Sequence, residues 1–229
     1  MIVPTFCKEK RNGCNYKKRR NAIMNGKILS AFITNLGKYT EGELVGKWVD
    51  FPITNEELQE VLQEIGIDGI RYEEIFFTDY ESDITGLTDC LGEYESIRLL
   101  NCLAMKLEES GCDTDELAAL IEYGEYTGSI EELLTLVDNT DCYLIYHDIQ
   151  DDSDLGYYLI EETGLLHEWR ASGNPLANYI DYEAYGRDVR LEQGGIFTEN
   201  GYYVALIDTP VEYTKEDLQE IYSSCGIAA

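Results

Sequence analysis

The chain has 229 residues, 44% of them hydrophobic and 11% aromatic, with 18 Tyr against 6 Phe and a formal net charge of -28. Disordered acidic chains lack the apolar material for a core, so this composition excludes an acidic coil and points to a folded, Tyr-rich body. No run approaches the roughly 18 to 20 apolar residues of a membrane span, and basic residues interrupt the N-terminus where a secretory signal would be apolar.

The charge is unevenly placed. Residues 1–27 hold Lys8, Lys10, Arg11, Lys17, Lys18, Arg19, Arg20 and Lys27 against Glu9, a net of +7. The other 202 residues hold 9 basic and 44 acidic side chains, a net of -35. Such density raises the electrostatic free energy of the compact state, so it calls for a reason beyond solubility. Seven cysteines is an odd number, and Cys90, Cys102, Cys112 and Cys142 are scattered, which suits reduced thiols in a cytoplasm. Cys7 and Cys14 are the nearest pair, but no second Cys/His pair completes a metal site. Met24 is an alternative start that would remove seven of the eight basic residues of the arm.

In chain order, 31–36 is β-prone, and 44–51 alternates as a strand that Pro52 ends. Thr54 with Glu57 forms a capping box, opening a helix whose stripe is Leu58, Val61, Leu62 and Ile65 and which Gly66 stops. A third strand is expected at 72–78, and the Asp-, Gly- and Thr-rich stretch 79–93 reads as loop. From Ser96 the period turns helical. Ile97, Leu100, Leu103, Ala104 and Leu107 mark one helix, Leu117, Leu120 and Ile121 a second, and Ser129 with Glu132 caps a third. A strand follows at 142–147, a helix at 151–163 stopped by Gly164, and a Tyr-rich helix at 176–189. Asn200-Gly201 then sets a hairpin between Ile196-Phe197 and Tyr202 to Val204. A last short helix is expected at 214–223, capped through Asp217. The fold class is α+β, an elongated chain of three small domains. The basic extension is 1–27, the first α+β domain 28–95, the helical domain 96–139, the third α+β domain 140–205, and the tail 206–229. The helical unit is too small to be very stable alone.

The chemical motifs are weak. His147 ends an apparent strand and His167 sits in an expected loop, and neither has a nucleophile motif beside it. There is no phosphate loop and no dinucleotide fingerprint. Carboxylate pairs are too numerous to single out a glycosidase couple. Asp151, Ser153, Gly156 and Glu162 fall on calcium-loop positions, but Leu155 occupies a ligand position and 157–160 reads as helix interior. Neither enzyme nor cofactor is expected. Charge density is more informative: duplex DNA carries one negative charge per roughly 1.7 Å, so -35 matches about 60 Å of duplex. A body of that kind competes for clefts lined with Lys and Arg, and DNA itself repels it.

Three blocks carry a resemblance. Residues 31–52 (AFITNLGKYTEGELVGKWVDFP), 157–164 (YYLIEETG) and 178–188 (NYIDYEAYGRD) resemble successive signatures of the ArdA antirestriction proteins, over roughly 28–205. The resemblance implies a curved homodimer of three small domains per chain that imitates bent B-form DNA. It also implies occupation of the DNA-binding channel of type I restriction-modification enzymes, protecting incoming mobile DNA. No catalytic residues carry over. The implied partner surface is a distributed set of carboxylates. In the first unit these are Glu41, Glu43, Asp50, Glu56, Glu57, Glu60, Glu64, Glu73, Glu74, Asp79, Glu81 and Asp83. The helical unit adds Glu108, Glu109, Asp113, Asp115, Glu116, Glu122, Glu125, Glu131, Glu132 and Asp138. The third supplies Asp148, Asp151, Asp152, Asp154, Glu161, Glu162, Asp181, Glu183 and Asp188.

Glu56, Glu57, Glu60 and Glu64 read equally as an ordinary solvated helix face. The resemblance places the block after Asp148 near the dimer contact, with Leu155, Tyr157 and Tyr158 as candidates, the tyrosines reading equally as core. The alternative function is an acidic adaptor or chaperone-like module that binds basic proteins generally.

Overall fold

The computed structural model describes residues 27–164 and 166–224. The basic extension up to residue 26, with Cys7 and Cys14, lies outside the described residues. The first sheet is antiparallel, with β1 (Leu29–Asn35) between β2 (Gly46–Phe51) and β3 (Ile75–Glu81). As the central strand, β1 is buried on both faces, and Ala31, Ile33, Val49 and Phe51 turn to the core. Between β1 and β2 lies α1 (Leu36–Thr40), absent from the sequence reading; the Asn35 side chain caps it by accepting the Lys38 N–H at 3.0 Å.

The third strand also departs from expectation, starting and ending three residues later. The Asp68 carboxylate accepts the N–H groups of Ile70, Arg71 and Tyr72, which holds 68–72 in a turn and takes Tyr72 out of the strand. At the other end, pairing of Asp79 and Glu81 with Phe32 and Ser30 extends the strand into the stretch read as loop. Tertiary pairing outweighs loop-like composition there. The helix α2 (Asn55–Glu64) has the capping box expected of Thr54 and Glu57, and it buries Leu58 and Val61, with Ile65 at its C-cap.

Three helices follow, α3 (Ile97–Glu109), α4 (Thr114–Tyr123) and α5 (Ile130–Asp138). An unforeseen capping box, Asp113 with Glu116, opens α4. The box expected at the start of α5 is half formed. The Ser129 hydroxyl accepts the Glu132 N–H, but the Glu132 carboxylate accepts the N–H of Gly128 at 2.8 Å instead of that of Ser129. Buried Asn101 on α3 accepts the Ile53 N–H at 2.6 Å, tying the helices to the segment after β2.

The second sheet places β6 (Tyr202–Leu206) between β4 (Tyr143–His147) and β5 (Ile196–Phe197). Register puts Tyr143, Ile145, Val204 and Leu206 on one face, packed into the main core with α3, α4 and α5. Tyr146, Tyr203 and Ala205 occupy the other, in a smaller cluster with Ile149 and Leu155. Burial on both faces explains the unbroken apolar run of β6. The main cluster reaches from Ile28 to Ile221, so buried side chains are shared across the boundaries at 95 and 139.

Two long helices accompany this sheet, α6 (Asp152–Thr163) and α8 (Tyr182–Gln193), with the short α7 (His167–Ala171) between them. His167 therefore lies on a helix and not in a loop. The helix expected at 176–189 is also corrected. A 3-10 turn occupies Pro175–Asn178, and α8 starts only after Asp181, whose side chain caps it by accepting the Ala184 N–H at 2.9 Å. The calcium-loop spacing falls inside α6.

The two helices cross with backbones in contact: a Cβ built on Gly156 would sit 1.9 Å from the Tyr182 carbonyl oxygen, and one on Gly186 1.8 Å from that of Asp152. Finally, α9 (Lys215–Ser224) buries Ile221 in the main core. The Asn139 amide brackets Val211, accepting its N–H at 3.0 Å and donating to its C=O at 3.2 Å.

The crossing gives a direct test. Gly186→Ala must separate two backbones, and overpacking of this kind costs about 1–3 kcal/mol or more. A lower urea midpoint with unchanged slope is expected. Gly128→Ala, whose Cβ would meet only the end of the Glu132 side chain at 3.1 Å, should stay within about 0.5 kcal/mol.

Candidate acidic interaction surface

Ten basic side chains stand between residues 27 and 224 against 44 acidic ones. At least six of the ten make ion pairs within the fold. Lys27 meets Glu81 at 3.0 Å, Lys47 Glu64 at 2.5 Å, Arg71 Glu41 at 2.8 Å and Lys106 Asp138 at 2.7 Å. Arg170 grips Glu161 through two bonds of 2.6 and 2.7 Å, and Arg190 grips Asp152 through two of 2.7 and 3.1 Å. Lys38 donates to the Ile65 carbonyl at the end of α2. Most of the scarce positive charge is thus held between elements. Three of these carboxylates are shifted by their partners. The Arg71 and Tyr72 hydrogen bonds hold Glu41 below the usual carboxylate range, as Arg190 does Asp152 and Arg170 does Glu161.

A second group serves helix starts. Glu57, Asp113, Glu116, Glu132, Asp151, Asp154 and Asp181 accept backbone N–H groups at or beside N-caps. Glu56, Asp115, Glu131, Asp152 and Glu183 lie in first turns, where the positive end of the helix dipole favours them. Glu116 also meets His147 Nε2 at 3.0 Å, which gives that histidine a structural place at the end of β4.

A third group opposes local helix energetics. Glu64, Glu108, Glu109, Glu122, Asp138, Glu161 and Glu162 lie toward the C-terminal ends of α2 to α6, where the dipole disfavours anions by roughly 0.3–1 kcal/mol each. Glu64, Asp138 and Glu161 have the cations named above, and Glu122 accepts the Glu199 N–H at 3.0 Å. Glu108 and Glu109 are exposed at the end of α3.

The remaining expected residues are also on the surface. Glu43, Glu73, Glu74, Asp83, Glu125 and Asp148 lie in exposed connections, Asp50, Asp79 and Glu81 on strands, and Glu60 and Asp188 on exposed helix positions. The dimer candidates separate: Leu155 is wholly enclosed in the second cluster, Tyr158 is half-buried against Tyr146, and Tyr157 is 59% exposed. A side chain enclosed like that of Leu155 is core of its own chain and reaches no surface. Sequence reasoning passed over Asp68, whose place one residue ahead of Gly69 is a turn signal. It also passed over Glu212, which accepts from Tyr126 at 3.5 Å and joins the tail to the helices.

This arrangement attracts polycations and repels nucleic acid. Among the described residues no group of three or more His, Cys, Asp or Glu is placed to hold a metal, and no helix is long and apolar enough to cross a membrane. A sequence model described as antirestriction protein (ArdA) matches residues 31–204, from β1 into β6, leaving α9 outside. The search of curated proteins gives no match.

Carboxylates gripped by an arginine and those on open helix faces should respond oppositely to neutralisation. Asp152, a fifth exposed, is gripped twice by Arg190, so Asp152→Asn should cost about 1–3 kcal/mol. Its lowered pKa contributes stability that is present above the unfolded value of roughly 3.9 and is lost as pH falls through the folded one. The variant should therefore also flatten the acid limb of stability against pH. Glu60→Gln should leave stability within about 0.5 kcal/mol or raise it, both read by urea denaturation.

Proposed function

Because the chain belongs to the ArdA antirestriction family, we propose that it imitates bent B-form DNA and occupies the DNA-binding channel of type I restriction-modification enzymes. Incoming mobile DNA is thereby spared. The observation that carries this reading is the division of charge: most of the cations are held in pairs within the chain, while exposed carboxylates remain on every part of the described chain. Along α2, Glu56, Glu57, Glu60 and Glu64 span nine residues, about 12 Å of axis. That is one carboxylate per roughly 4 Å, against 3.4 Å per phosphate on one DNA strand. Lys47 offsets the last of the four, so the row is most anionic at its start.

The inhibitor works by occupancy, with no turnover: its carboxylates take the contacts that Lys and Arg of the channel make to phosphates. A homodimer of three-unit chains would double the length of the imitation, and Tyr157 is the exposed candidate for that contact. Adaptor-like binding of basic proteins in general rests on charge alone, and the test separates it.

Binding of a type I methyltransferase to its DNA site is measured with the protein as competitor at low and moderate salt. Displacement of the DNA, steeply weakened by salt, is expected. Glu56→Gln with Glu60→Gln should weaken displacement several-fold and lower the salt slope. Lysozyme or polylysine should be bound orders of magnitude less well than the enzyme. No displacement at any concentration sinks the proposal, and equal binding of polylysine favours the adaptor.

A further inference from the structure

One face of the first sheet turns away from the core. It carries Ser30 and Phe32 on β1, Trp48 and Asp50 on β2, and Asp79 and Glu81 on β3, since Ser30 lies opposite Asp50 and Glu81, and Phe32 opposite Trp48 and Asp79. Trp48 meets Phe32 edge-on at 5.6 Å and remains 37% exposed, with exposed Asp50 two residues along its strand and exposed Asp79 beyond Phe32 on β3. The chain enters the described structure at this face. The Lys27 ammonium is 3.0 Å from Glu81 and 3.9 Å from Asp50, and its carbonyl accepts the Asp83 N–H at 2.9 Å. The residues before it hold seven cations against Glu9. The quartet Lys17, Lys18, Arg19 and Arg20 precedes Lys27 by seven to ten residues, a reach of up to about 25–35 Å. The sheet is some 23 Å long and 10 Å wide, so every point of the face is within that reach.

We propose that residues 1–26 dock back onto this face, with the quartet over Trp48 and against Asp50, Asp79 and Glu81, so that the chain masks part of its own anionic surface. Three features select this occupant: opposite charge, a tether that ends on the face, and the last cation of the arm already seated there. An indole that shares a sheet face with carboxylates receives Lys or Arg through its ring face as well as by charge. Individual exposed ion pairs are weak, but the tether holds the arm at an effective concentration near millimolar, so a few such contacts suffice. The proposal concerns the chain alone and stands apart from the antirestriction reading. Where both hold, the arm competes with the enzyme for the acidic surface and must be displaced on binding.

Zero-length carbodiimide cross-linking of the full chain at low salt, read by mass spectrometry on mixed heavy and light isotope-labelled chains, tests it. The Lys27 to Glu81 link is the internal reference. Links from Lys17 and Lys18 to Asp50, Asp79 and Glu81 within one chain are expected, falling several-fold at about 0.5 M salt, where screening lengths shrink to a few Å. In the full-chain Trp169→Phe variant, Trp48 emission should shift with salt. That shift should vanish when Lys17, Lys18, Arg19 and Arg20 are changed to Gln. Links scattered over other carboxylates, links between heavy and light chains, or the reference link alone would each overturn the proposal.

Discussion

Between residues 27 and 224 an apolar core must be enclosed by a shell of 44 carboxylates with only 10 cations to relieve it. At a Debye length near 10 Å each surface carboxylate feels several neighbours, so repulsion acts over the whole body and not at one site. The fold meets this load in two ways. The buried cluster is continuous from Ile28 to Ile221, so that no small unit withstands the repulsion by itself. The cations are used as ties between elements remote in sequence: Arg71 to Glu41, Lys106 to Asp138, Arg190 to Asp152. A cation spent on an exposed helix face would cancel one charge; spent between elements it also orients two of them.

The same economy is visible where α6 and α8 cross. Gly156 and Gly186 bring the two backbones together, and the Arg190 to Asp152 pair joins the same two helices. Arg170, from the intervening α7, grips Glu161 near the end of α6, and the Tyr182 hydroxyl at the start of α8 is 3.1 Å from it. Close backbone approach fixes the geometry and the two arginines fix the electrostatics. A highly charged pair of helices thereby keeps one arrangement. The second sheet below them, with β6 buried on both faces, passes that arrangement to the helices around α4 and so to the main core.

Much of this was legible in the sequence wherever a local rule sufficed. The capping box of Thr54 and Glu57, the stop at Gly66, the Asn200-Gly201 hairpin and the apolar stripe of α3 all stand where spacing put them. What escaped depends on partners distant in the chain. β3 extends to Glu81 because β1 is there to pair with it, and the split near Asp181 hangs on one side chain choosing a cap over a continued helix. The acidic surface was legible as a quantity, not as a pattern. Nothing in the spacing of Asp152 or Glu161 tells that an arginine will consume it, whereas the small number of cations already implies that most carboxylates go without one.

Sorting the carboxylates by what they do locally narrows where function lies. An acid at a helix start is explained by its cap or by the dipole, and an acid facing an arginine by the pair, so neither needs a partner outside the chain. Glu108 and Glu109 are different. They sit at the C-terminal end of α3, where the exposed carbonyls disfavour them, and the nearby Lys106 is already engaged with Asp138 and stacked on the Tyr213 ring. Local stability would be better served by Lys, Arg or Gln at those positions. Under the proposed function, side chains held against the preference of their own helix are the first to assign to contact with a cationic partner.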